Sequence, residues 1–151
     1  MTAVVEHPAP GPAATVFDYL DAIVAGDTVT MWDLITPRYQ AHIRTTVATA
    51  DRASVQTAFD AAVDIYHTDP RWSPWIARAA DRRLTAFIAD IDPIRVVVAL
   101  HETPDNADDD VRYQLLPVLV EFDGTRWKID APLGDPEAAA AFRPSNLHRA
   151  V

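Results

Sequence analysis

The chain has 151 residues, no cysteine, and 22 acidic against 13 basic side chains, a net charge of −9 at neutral pH. That charge repels nucleic acid and anionic lipid at long range, and the missing thiols exclude a disulfide scaffold and thiolate metal centres. No apolar run approaches the ~20 residues of a membrane span, and the first residues lack the basic and apolar regions of a signal peptide, so the expected location is cytoplasmic.

Residues 1–12 carry three prolines and a glycine without periodicity and read as a flexible tail ahead of one domain, 13–133. The first helix is expected from about Ala13 to Ala25: Val16, Phe17, Leu20, Ile23 and Val24 form one stripe, with Asp18 and Asp21 opposite. Gly26 ends it and Asp27 caps the next helix. That helix is expected to bury Val29, Trp32 and Leu34 or Ile35, and to stop at Pro37.

The stretch 38–50 suits a helix or a short strand. A further helix carries Ala58, Phe59, Ala62, Val63 and Tyr66 on one face, and Ser73-Pro74 opens another. From Leu84 the period shortens. The runs LTAFIADI, IRVVVALHE, VRYQLLPVLVEF and RWKID, separated by short turns, predict an antiparallel meander. The acidic DNADDD loop is read as a hairpin tip rather than a calcium loop. Helices first and strands last make an α+β fold. Residues 134–151 are read as a short helix and tail.

Strand faces follow from alternation. Val96, Val98 and Leu100 oppose Arg95, Val97, Ala99 and His101, and both faces are largely apolar. One face should meet the helices and the other a second copy of the sheet, giving a homodimer.

The pieces YLDAIVAGD and FDGTRWKIDAP, with helices before a terminal sheet, resemble the nuclear transport factor 2-like superfamily, which includes ketosteroid isomerases and relatives of polyketide cyclases. The resemblance covers about residues 14–132. It implies a cystatin-like cone, a curved sheet wrapped around the N-terminal helices, here with an enlarged helical middle. It also implies a pocket for an apolar small molecule and cofactor-free isomerase, cyclase or hydrolase chemistry by general acid and base.

Ketosteroid isomerases carry a tyrosine seven residues before the helix-ending glycine, as an oxyanion donor; Tyr19 occupies that place. Their general base is an aspartate some seventeen residues beyond the glycine, where this chain has Ile43. The simpler reading of Tyr19 is a boundary side chain with a wet hydroxyl. Asp90, Asp92 and Arg95 have the residue types of an Asp-Arg-Asp water-activating site, but DIDP reads first as a turn.

His101, beside Glu102 at a strand end, is the other catalytic candidate if its strand face is the concave one, and an interface or surface residue if that face is the outer one. Trp32, Tyr39, His42, Trp72, Trp75, Arg95 and Tyr113 complete the expected ligand-binding set. No metal-ligand spacing, Walker motif, dinucleotide fingerprint or nucleophile elbow occurs, so neither metal nor cofactor is expected. The competing reading is a non-catalytic interaction domain whose sheet face binds a protein.

Overall fold

The computed structural model describes residues 11–46, 52–102, 116–131, 133 and 147–149. Among the described residues five helices and a five-stranded antiparallel sheet are formed, so the chain is α+β as its periodicities predict. Among the described residues no helix is long and apolar enough to cross a membrane.

Helix α1 (Pro12–Ala25) buries Val16, Tyr19, Leu20 and Ile23. Gly26 closes it in the left-handed conformation (φ 68°), and the Asp27 N–H donates to the Ala22 carbonyl at 2.8 Å. The Asp27 carboxylate then caps α2 (Thr28–Asp33), accepting from the backbone N–H and hydroxyl of Thr30.

Two expectations change here. Val29 is 63% exposed, because α2 is only six residues long and anchors itself through Met31 instead. Pro37 does not stop a helix; it starts one. Past α2 the chain straightens, and Ile35 forms a parallel bridge with Ile129, its flanking groups exchanging Ile129 N–H to Leu34 O (2.8 Å) and Thr36 N–H to Ile129 O (2.9 Å). Thr36 then caps α3 (Pro37–Thr46), its hydroxyl accepting from the Tyr39 N–H and its carbonyl from the Gln40 N–H. Proline suits the first position of a helix because the N–H it lacks has no partner there. Residues 38–46, ambiguous in the sequence, are thus helical.

Helix α4 (Arg52–Thr68) leads through a turn, where Asp69 accepts from the Arg71 N–H, into α5 (Ser73–Ala80). The end of α5 is a Schellman motif: Arg82 N–H donates to Ala79 O and Arg83 N–H to Arg78 O. Its left-handed residue is Arg82 (φ 58°), where glycine is the usual occupant.

The strands are β1 (Leu84–Asp92), β2 (Arg95–Glu102), β3 (Leu116–Phe122), β4 (Trp127–Ile129) and β5 (Leu147–Arg149), in the order β4-β3-β2-β1-β5. The turns are built by aspartates. Asp92 accepts from the N–H groups of Ile94 and Arg95, and Asp123 from those of Thr125 and Arg126. Strand β5 lies in the stretch read as tail: its three residues pair with Phe87–Ala89, extending the sheet beyond β1.

Ala86, Ile88, Val96, Val98, Leu100, Val118, Val120 and Ile129 face the helices and form one core with α1, α2, α4 and α5. On the other face Val97 and Ala99 are 0% exposed, and Ala131 packs with Ala89, Val97 and Leu119. These side chains of the far face are buried within the single chain, while Phe87 and Pro117 on the same face are partly exposed. The expected Asp105–Asp110 tip lies outside the described residues.

Candidate functional site

The sheet separates the two catalytic candidates. Tyr19 belongs to the core on the helix side, whereas His101 shares the opposite face with Val97 and Ala99. The His101 ring is buried and stacks on Phe87 at 4.8 Å, and its Nδ1 lies 3.0 Å from the Glu102 carbonyl oxygen. No single site can hold both.

Tyr19 is 2% exposed, not a boundary residue with a wet hydroxyl. At the edge of the α1 stripe it meets α4, where its hydroxyl shares a hydrogen bond with the Tyr66 hydroxyl. The backbone N–H of Leu133 donates to the Tyr66 oxygen. Tyr66 is half-buried, and Trp72 packs edge-on against it with ring centroids 6.0 Å apart. In the sequence Tyr66 belongs only to an apolar helix face. Nothing in its spacing reveals the partner on α1, because that meeting depends on how α1 and α4 pack.

The electrostatics keep both phenols neutral. Burial raises the Tyr19 pKa well above the ordinary tyrosine value, and the neighbouring Tyr66 and Tyr39 phenols, then its hydrogen bond to Tyr66, raise it further. Burial also raises Tyr66, partly offset by its hydrogen bonds to the Tyr19 hydroxyl and the Leu133 N–H. With Tyr19 as donor, the Tyr66 hydroxyl accepts two hydrogen bonds and becomes a stronger donor through its own proton. Tyr66 then suits hydrogen-bond donation to a carbonyl or developing oxyanion, and does not suit general-base work at neutral pH.

The remaining expected ligand contacts divide between these environments. Tyr39, Trp32, Trp72 and Trp75 pack on the same helix-side core as Tyr19. Trp32 meets Phe59 edge-on at 5.5 Å with the Arg44 guanidinium over its ring, and Trp75 is buried under Arg78. His42 is exposed on α3. Arg95 sits at the β1–β2 turn and pairs with Asp92 at 2.9 Å, so the carboxylate of a water-activating triad is committed to its own turn. Tyr113 lies outside the described residues.

A second polar cluster joins α3 to the sheet. The Asp130 carboxylate, 3% exposed, accepts from the Thr36 hydroxyl at 2.6 Å and pairs with Arg38, which also reaches Glu121 at 3.0 Å. All its members hold elements together, and it has the look of a structural clamp. Among the described residues no group of three or more histidines and carboxylates converges to hold a metal ion.

Compared with known proteins, the chain matches no family model, no curated protein and no solved structure.

Proposed function

We propose that the protein binds a small, largely apolar molecule bearing a carbonyl or similar acceptor oxygen, with the Tyr66 hydroxyl as its polar anchor. The observation that carries this reading is the phenol pair: Tyr19, sealed from water, is hydrogen-bonded to Tyr66, whose oxygen also accepts from the Leu133 N–H, and in this reading the sealed Tyr19 hydroxyl is the donor. Two donors on one phenol oxygen leave its proton directed elsewhere. A half-buried position beside Trp72 supplies an apolar, water-poor setting in which such a bond is strong.

The resemblance to nuclear transport factor 2-like proteins supports the same reading, since Tyr19 stands where ketosteroid isomerases keep a phenol donor. A cone-shaped pocket between helices and sheet is part of this proposal. Catalysis would be polarisation of the bound carbonyl by Tyr66, with Tyr19 as a positioning residue behind it. The base that would complete an isomerase is absent from position 43, which is Ile, so the proposal stops at binding and polarisation.

A panel of apolar ketones tests the proposal by tryptophan fluorescence and thermal shift, because Trp72 reports from beside Tyr66. Saturable binding of at least one ketone, weakened about tenfold in Tyr66→Phe, is expected, the equivalent of one hydrogen bond of ~1.4 kcal/mol. Equal binding by wild type and Tyr66→Phe would remove Tyr66 as the anchor.

A further inference from the structure

A pocket of about 320 Å³ lies on another side of α1, lined by Phe17, Leu20, Asp21, Ala79, Arg82 and Leu84. Asp21 follows Tyr19 by two residues, some 200° around the helix, so this pocket and the phenol pair are separate features. Four of its six residues are apolar. The other two form a pair: Nη1 of Arg82 donates to both Asp21 oxygens at 2.9 Å.

The pair is exposed, Arg82 by 73% and Asp21 by 41% at the side chain, and two details of it bear on ligand binding. Arg82 occupies the left-handed position of the Schellman motif (φ 58°), where glycine would fit without strain, so the backbone is held in an unfavourable conformation beneath this guanidinium. A single nitrogen also meets both carboxylate oxygens, leaving the Nε–Nη2 edge of Arg82 without a bond to Asp21. That edge is one of those that guanidinium groups use for two-point binding of a carboxylate.

Charge then narrows the ligand. A simple anion meeting Arg82 also meets Asp21 and a chain of net charge −9, while a simple cation meeting Asp21 meets Arg82. A zwitterion satisfies both. We propose that this pocket binds a free apolar α-amino acid, its carboxylate on the Nε–Nη2 edge of Arg82, its ammonium on Asp21, and its side chain against Phe17, Leu20, Ala79 and Leu84. The volume is at the small end for ligand sites, as a ligand the size of a single amino acid requires.

Isothermal titration and 15N-detected shift mapping with three probes decide this: phenylalanine, 3-phenylpropanoate and 2-phenylethylamine. Phenylalanine should bind at least tenfold tighter than either half-charged analogue, with shifts confined to residues 17–21 and 79–84. Asp21→Asn and Arg82→Gln should each weaken phenylalanine about tenfold or more. Arg82→Gly removes the guanidinium while relaxing the backbone, so it should keep the fold and lose the binding. Equal binding of the three probes, no binding at ten millimolar, or undiminished binding by Arg82→Gly would overturn the proposal.

Discussion

Tyr19 on α1 and Tyr66 on α4 are joined by a hydrogen bond between their hydroxyls, and the Leu133 N–H donates to the Tyr66 oxygen. The pair is asymmetric in its consequences. Tyr19→Phe keeps the core volume and removes one partner, so it should cost about 0.5–1.5 kcal/mol of stability. Tyr66→Phe removes the partner of both the Tyr19 hydroxyl and the Leu133 N–H. It should therefore cost more, about 1–3 kcal/mol per group left unsatisfied, less whatever water recovers. Urea denaturation of the two single variants and the double variant checks this. The double variant should be less destabilised than the sum, because Tyr66→Phe already breaks the bond that Tyr19→Phe removes.

The same pair predicts an alkaline limit. Both folded pKa values are raised, so the unfolded chain releases these protons first, near pH 10. Stability contributed by the neutral phenols is whole below pH ~10 and falls as pH rises toward the folded values. In a titration at 295 nm, Tyr19 and Tyr66 should ionise late or only on unfolding. Tyr19→Phe should flatten the fall in Tm above pH 10.

The clamp between α3 and the sheet predicts a ranking. Asp130 is the shared acceptor and nearly sealed from water, so Asp130→Ala should cost most, about 1.5–3 kcal/mol. Thr36→Val removes a cap and a partner of Asp130 and should cost about 1 kcal/mol. Arg38 is 67% exposed at its side chain, so Arg38→Ala should cost at most about 1 kcal/mol, and less at high salt. Chemical denaturation at two ionic strengths checks both the order and the salt effect.

Truncation after residue 146 should be harmful. It removes β5 and strips Phe87–Ala89 of their outer partners, leaving β1 as a bare sheet edge. A lower Tm and concentration-dependent aggregation by light scattering are expected. Loss of either residues 1–10 or this C-terminal strand, tested separately, assigns the effect to the strand.

Long periodic segments were legible in the sequence. The α1 stripe, the Gly26-Asp27 break and the β1–β2 alternation all carry their signal in consecutive residues, and the elements formed where expected. What failed depends on contacts distant along the chain. Val29 has a core-like spacing, but a six-residue helix has too little length to impose it. Pro37 is the exception: Thr36-Pro37 carries the same local cap-and-proline signal as Ser73-Pro74, and the expectation of a stop passed over it. β5 is three residues long, too short for any alternation to announce it. At the candidate site, Tyr19 was visible, but its burial and its partner were not, since Tyr66 is brought there by helix packing. His101 looked like a companion to Tyr19, and strand parity put it on the far side of the sheet.

The central claim is that the Tyr66 hydroxyl holds a ligand oxygen. It is tested most directly by comparing an apolar ketone with the hydrocarbon lacking its oxygen, against wild type and Tyr66→Phe. Wild type should prefer the ketone about tenfold, and Tyr66→Phe should bind both about equally, since only the hydrogen bond distinguishes them. A ketone preference that survives unchanged in Tyr66→Phe would contradict the account.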